Sequence, residues 1–395
     1  MSAETNVQNR RVAIVRCRDI FELPVRRESR AFADAGCQVD VIMLAGREGG
    51  PGITTEDGVT VHRLPGSKSR GSKIQYLTDY GGFMARVAQR LWAEHKSRPF
   101  DLIQINTMPD FMVLATIASK LRGATVSVFM KEPTPELGFT IFESEKVRAL
   151  LLASERLALR YADVAFTVTP ELRQTYIDRG ADGKKIHVVL NCPDIRHLEE
   201  VNREPVRDPE RFVLMSHGTI EHRYGHDVMV DAIDLVREHI PNVLLRILGD
   251  GDHVPAMKER IAERSLENHI DYLGWLELDE VVAQVSGADA GLVAQLGSPY
   301  SHLVHTNKMF EYIMLDIPCI ASRLDSVSNA FAEDEILFYE ADSAEAMAEA
   351  IIRLHDEPGL SERLVTKARA RYDQGYRWSD QSKVLVNESL AAVRR

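Results

Sequence analysis

Apolar residues in this chain gather in short strand-length runs, some unbroken and some interrupted by single polar residues. Val12–Val15, Val39–Leu44, Val59–Leu64, Leu102–Ile105, Thr125–Phe129, Val164–Val168 and Ile186–Val189 are such runs, and helix-spaced stretches separate them. Runs of this length predict strands buried on both faces. Arg26–Ala35 predicts a helix closed by Gly36. Asp57-Gly58 predicts a turn before the third run. Glu155–Val168 reads as a helix running into a strand, and Thr169-Pro170 as a capped helix start with Pro at N1. Strands separated by helices imply a parallel sheet covered on both faces, a Rossmann-like domain that binds ligands beyond the carboxyl ends of its strands.

A second series follows: Phe212–Met215, Leu244–Leu248, Ile270–Leu273, Ala290–Val293, Cys319–Ala321 and Ile336–Tyr339. Between the series, residues 196–210 are charged, contain Pro and lack an apolar period, as a linker does. The fold class expected is therefore α/β, with two Rossmann-like domains facing a central cleft. The tail predicts a helix with an apolar stripe at Val384, Leu385, Leu390 and Val393.

The stretch Thr306–Ser322 carries the densest chemistry. It reads as a helix capped by Thr306, a turn, then the short buried strand Cys319–Ala321. Lys308 and Glu311 stand three residues apart and share a face, with Tyr312 one turn beyond Lys308. A charged pair at a helix start suits a polar ligand, and the helix N-terminus suits a phosphate.

Bulk properties narrow the function. The 395 residues allow two or three domains, and the formal net charge of −11 argues against nonspecific binding to nucleic acid. Cys17, Cys37, Cys192 and Cys319 form no Cys-x-x-Cys pair, so neither zinc nor a disulfide framework is indicated, and a reducing cytoplasm is expected. Met1–Arg10 lacks an apolar signal core, and no apolar run reaches the ~20 residues of a membrane span. Residues 67–98 depart from the acidic average: Lys68, Arg70, Lys73, Arg86, Arg90, Lys96 and Arg98 oppose only Asp79 and Glu94, among Tyr76, Tyr80, Phe83 and Trp92. This is either a peripheral contact with anionic lipid or a solvated helix with an aromatic stripe facing the core.

The helix-turn-strand stretch resembles the sugar-donor signature of retaining, nucleotide-sugar-dependent glycosyltransferases of the GT-B fold, family four (group 1). The family reads roughly Pro-x-Lys-x-x-Glu-Tyr, then Gly-x-Pro-Val; here Asp316 replaces the glycine, and an aspartate tolerates the left-handed turn. The resemblance implies that Glu311 holds the ribose hydroxyls. It implies an N-terminal acceptor-side domain at 1–200 with a C-terminal helix, 376–395, crossing back to it. It also implies a nucleotide-sugar donor domain at 206–375. Leu303 stands where many relatives carry an earlier glutamate.

Other segments match in turn. Ser216–Gly225 is similar to the family's Gly-x-x-x-x-x-Lys-Gly turn, with Tyr224 in the Lys place and Arg223 beside it. Gly218 and Thr219 would approach the phosphates, Arg223 would fork onto them, and Asn307 would complete the donor-binding set with Lys308 and Glu311. Asp250-x-Asp252 reads as a tight glycine turn; as a metal pair it is the weaker reading. In Gly297–His302 and just beyond, His302 or His305 could touch the donor, or be solvated. In the first half, Lys131 and Glu132 take the family's His-Asp places after a strand end, where Glu132 could orient an acceptor hydroxyl or act as base, or cap locally. Arg18, in a loop lacking the family's Gly-Gly, joins Lys131 and Asn191 as acceptor-side residues.

The resemblance implies a retaining glycosyltransferase moving a sugar from a UDP- or GDP-sugar to a glycan or lipid-linked acceptor. Arg223 and Lys308 would neutralise the leaving group, with no cofactor and no metal. A nucleotide-sugar epimerase or hydrolase on the same frame, or a non-catalytic homologue, remain as alternatives. The enzyme would be cytoplasmic, peripheral at the inner membrane face if segment 67–98 meets lipid.

Overall fold

The apolar runs become strands buried at nearly every position, except in Ile186–Val188 and Ile270–Gly274 at the sheet edges. The computed structural model describes residues 9–18, 23–46, 49–66, 73–107, 109–194, 196 and 204–393, with the side chains of 73–77 left aside. The first sheet contains β1 (Arg11–Arg16), β2 (Gln38–Leu44), β3 (Gly52–Glu56), β4 (Val59–Leu64), β5 (Leu102–Asn106), β6 (Thr125–Met130), β7 (Val164–Thr167) and β8 (Ile186–Val188). Its order is β3-β4-β2-β1-β5-β6-β7-β8. All pairs are parallel except β3 with β4, a hairpin turned at Asp57 (φ 49°) and Gly58 (φ 77°). The sequence pattern gives no sign of β3, because four of its five residues are exposed and supply no apolar run.

The second sheet contains β9 (Phe212–His217), β10 (Val243–Leu248), β11 (Ile270–Gly274), β12 (Ala290–Val293), β13 (Cys319–Ser322) and β14 (Leu337–Tyr339), in the order β11-β10-β9-β12-β13-β14. Every pair is parallel. Its core joins Leu214, Leu245, Ile247, Leu292 and Ile320 to Met229, Ile233 and Ile351 from the covering helices. Each such side chain contributes roughly 1.5–3 kcal/mol by leaving water. In both sheets the order reverses beside the first strand of its series, at β1/β5 and at β9/β12. Loops diverge there and leave a crevice for ligands.

Two units divide the chain. One runs to Asn191 and regains the chain from Ser379; the other is Cys192–Trp378. The last helix, Trp378–Ala391, gives the first unit buried Leu385 and Leu390. Gln381 Oε1 accepts from Leu190 N at 2.9 Å. One helix starts well before the position read from the sequence. Glu145–Tyr161 begins ten residues before the expected start at Glu155, because exposed Glu145, Lys146, Ala149 and Leu150 blur its period. Thr169, by contrast, caps its helix as expected, accepting from Leu172 N at 3.1 Å.

One buried acid sets a pH dependence. Asp110, 1 % exposed, follows β5. Burial pushes its carboxyl up to about 7, nearby Glu155 adds to this, and a 3.3 Å bond from Thr134 opposes it. A folded-state value above the unfolded one, about 3.9, means the folded chain holds the proton more tightly. Its stabilisation is full below about pH 4 and is lost as pH rises through about 7. Asp110→Asn should therefore be more stable than the parent at pH 8, by on the order of 2–4 kcal/mol, and indistinguishable from it at pH 4. Urea titrations at both pH values measure this, and parallel pH slopes in the two proteins would refute it.

Candidate functional site

The second unit's site grows from two turns that touch backbone to backbone. β9 ends at His217, and Gly218 follows with φ +102°. Gly218 N donates to Leu248 O at 2.9 Å, and Ile220 N to Asp250 O at 3.0 Å. A Cβ on Gly249 would lie 1.8 Å from Gly218 O, and one on Gly251 2.0 Å from Ile220 O. Gly249–Asp252 is thus the tight turn the glycines predict. Among the described residues no three His, Cys, Asp or Glu gather as a metal set.

A short turn, His222–Tyr224, and Gly225 lead into the helix His226–Val236. Gly225 (φ +67°) passes so near β12's continuation that a Cβ would meet Ala294 O at 1.9 Å. Leu296 N donates to Arg223 O at 2.9 Å, closing the loop onto that segment.

The helix Asn307–Met314 supplies the third wall. Phe310, Ile313 and Met309 anchor it in the core, and Asp316 closes it at φ +57°, the left-handed turn expected of it. Thr306 holds the N-cap position, yet its hydroxyl makes no cap bond and is buried without a partner. The expected cap hydrogen bond is therefore corrected. Asn307 Oδ1 is likewise buried without a partner.

Lys308 lies half-buried against Gly218, where an added Cβ would sit 3.0 Å from Lys308 Cε. Its ammonium stands 4.8 Å from the Tyr224 ring centre, and the Arg223 guanidinium 5.0 Å from the same centre. Burial pushes the Lys308 ammonium down to about 8, against the pull of Glu311. Arg223 also pairs with Glu221 and lies 5.8 Å from the Tyr300 ring. Gly218 and Thr219 are exposed beside this pair of cations. The sugar-donor residues expected from sequence, Gly218, Thr219, Arg223, Asn307, Lys308 and Glu311, are all carried by these two turns and this helix.

Sequence reasoning missed the histidines. Four of the chain's 13 (His217, His222, His226 and His253) stand in or beside these turns. His217 contacts Glu311 at 2.5 Å. His226, 1 % exposed, is pushed down to about 3 by burial, then by Lys308 and His253, so it is neutral at ordinary pH. Their clustering after two strand ends is the signal that could have found them. His305, considered as a donor contact, packs in the core on Phe310 at 5.0 Å, and burial pushes it down to about 4. His302 pairs with Asp325 at 3.1 Å.

In the first unit, Lys131 and Asn191 meet the helix Leu23–Asp34. Lys131 Nζ donates to fully buried Glu28 at 2.5 Å, and Glu28 also accepts from Gln104 (2.9 Å) and Asn106 (2.7 Å). Burial pushes the Lys131 ammonium down, although Glu28 pulls it up. Asn191 accepts from Arg27. Arg18 is exposed and its carbonyl accepts from Leu44 N at 3.0 Å; Glu132 is half-buried, its carbonyl 3.4 Å from Thr134 Oγ1.

Of the basic segment, residues 67–72 lie outside the described residues, Lys68 and Arg70 included. In the helix Lys73–Ser97, Tyr80 and Phe83 face the core, while Trp92 is partly exposed beneath Arg122 at 4.4 Å. Among the described residues no helix is long and apolar enough to cross a membrane.

Comparison with known proteins agrees with this architecture. Residues 24–192 match the glycosyl transferase 4-like domain, and residues 199–371 match glycosyl transferases group 1. The chain belongs to the group 1 glycosyltransferases and is an enzyme of the GT-B fold. It is similar to the D-inositol 3-phosphate glycosyltransferase of Pseudarthrobacter chlorophenolicus, 22 % identical, the match covering 94 % of this chain and 90 % of that one. Among solved structures it is similar to sucrose-phosphate synthase from Thermosynechococcus elongatus (TM-score 0.74, 18 % identity, 96 % and 98 % covered). It is also similar to the Anabaena protein HepE in complex with UDP-glucose (TM-score 0.75, 13 % identity, 97 % and 99 % covered).

Proposed function

We propose that this glycosyltransferase takes its sugar from a nucleoside diphosphate held by residues 206–375 and passes it, with retention, to a glycan or lipid-linked acceptor held by residues 1–200 and the C-terminal helix. The observation that carries the reading is the meeting of Lys308 and Arg223 at the Tyr224 ring, beside exposed Gly218 and Thr219 and one helical turn from Glu311. Two cations there can neutralise a diphosphate as it leaves with the bonding electrons. Glu311, 27 % exposed along its side chain, can accept from ribose hydroxyls. A UDP-sugar is favoured, because a structural neighbour is solved with UDP-glucose. Retention rests on the family signature around Lys308 and Glu311. On the acceptor side, Glu132 follows β6 at its carboxyl end, where it can orient the incoming hydroxyl. Four buried thiols fit a reducing, cytoplasmic setting.

A thermal-shift screen against UDP, GDP, ADP and their sugar conjugates tests the reading. A ligand at a hundred times its dissociation constant adds about 2.7 kcal/mol. One nucleotide should raise the melting temperature of the wild type and leave Glu311→Ala nearly unmoved. A wild type that no nucleotide stabilises, or a Glu311→Ala variant stabilised as much, would overturn it.

A further inference from the structure

Glu311 does not stand alone at the site. His217 Nε2 lies 2.5 Å from Glu311 Oε2, and His217 Nδ1 lies 3.0 Å from the Tyr312 hydroxyl. That hydroxyl is also 3.0 Å from Met215 O. The His217 and Tyr312 rings meet edge to face, 5.0 Å apart at 81°. Tyr312 is fully buried and lies flat beneath β12, where a Cβ on Gly291 would come within 2.4 Å of its ring. The three side chains thus form a relay from the sheet floor to the half-open carboxylate.

The protons of this relay can be counted. A carboxylate only accepts, so His217 Nε2 carries a hydrogen and donates it. The Tyr312 hydroxyl has one hydrogen and two acceptors in reach. If it donates to Met215 O, His217 is an imidazolium and donates from both nitrogens. If it donates to Nδ1, His217 is neutral. In both arrangements the bond to Glu311 stands, and the tyrosine adjusts. Nothing in a helix-face reading of Lys308 and Glu311 requires such a partner. It exists because the last residue of β9 and the middle of the helix Asn307–Met314 are brought together across 94 positions of sequence.

We infer that His217 is a positioning residue for Glu311, fixing the carboxylate that receives the vicinal diol of the nucleotide's ribose. The inference rests on the ribose role proposed above. A hydrogen bond of this kind, partly buried and ending on a charge, contributes the orientation that a flexible glutamate on a short helix lacks. Its loss should appear as weaker ribose recognition with the phosphate contacts unaffected.

The test is calorimetric titration of the wild type, His217→Ala and His217→Gln with UDP and with 2′,3′-dideoxy-UDP. The wild type should prefer UDP. His217→Ala should bind UDP about tenfold or more weakly, as expected for a lost hydrogen bond to a charged group. It should bind the dideoxy analogue as the wild type does. His217→Gln, whose amide can still donate to Glu311, should recover most of the UDP affinity, and it serves where the alanine variant folds poorly. His217→Ala binding UDP like the wild type would overturn the inference, as would equal losses with both ligands. Those results leave the nucleotide reading in place. A wild type that binds neither ligand removes that reading, and this inference with it.

Discussion

Lys308→Ala should lower kcat/KM by roughly a thousandfold, the upper end of what one preorganised charge contributes to a developing anion. The argument is local. The ammonium stands between Gly218 and the Tyr224 ring, so a phosphate bound as proposed would meet it without reorganising. Burial already holds it down at about 8. Activity in the free enzyme should therefore fall on an alkaline limb near pH 8, where the charge is lost. Stability should move the other way. A folded-state value below the unfolded one, about 10.4, means the unfolded chain holds more protons between the two, so stability rises from about pH 8 to 10. At pH 7 the buried charge is a net cost, and Lys308→Ala should melt no lower than the parent. Steady-state kinetics across pH 6–10 and calorimetry of both proteins check this. A variant that retains activity, or an alkaline limb unchanged in Lys308→Met, would remove the role.

Gly249→Ala should be the most damaging single methyl in the second unit. The added carbon would stand 1.8 Å from Gly218 O, and the backbone there holds φ +128°, which an alanine rarely adopts. Strain and overpacking together cost roughly 3 kcal/mol or more. For a unit of this size that is a fall of about 6–12 °C in its melting transition. Relief can come only by moving the Gly218 turn, so nucleotide binding should fall with stability. Gly50→Ala is the control: a Cβ there meets nothing within 4 Å, and the change should stay within about 0.5 kcal/mol. Equal melting of the two variants would show that the turns are not in contact as described.

Much of this architecture was legible because parallel strands buried on both faces are written as short, mostly apolar runs separated by helix-spaced stretches. β3 escaped for the converse reason: an exposed edge strand such as Gly52–Glu56 needs no apolar pattern. Lys308 and Glu311 were legible because helical spacing alone puts them on one face. Arg223 was legible only through its resemblance to a known turn. His217 and His226 were not, since their roles come from what β9 and the helices bring near them, and local spacing carries none of that. Glu28 is the clearest case: its three donors, Gln104, Asn106 and Lys131, lie 76 to 103 positions away. One charged residue among several in an amphipathic helix announces nothing until the sheet is assembled. Thr306 shows the limit of local rules, since it holds the capping position while its hydroxyl turns elsewhere.

The return of the chain to its first unit reverses the order in which the protein can be completed at the ribosome. Domains ordinarily finish in the order of synthesis. Here the first unit lacks the helix Trp378–Ala391 until all of Cys192–Trp378 has been made. Until then the amide of Leu190 has no Gln381 to donate to, and Thr125 Oγ1 has no Ala392 carbonyl. The second unit can close first, and the nascent first unit waits with an uncovered face for its last helix to emerge.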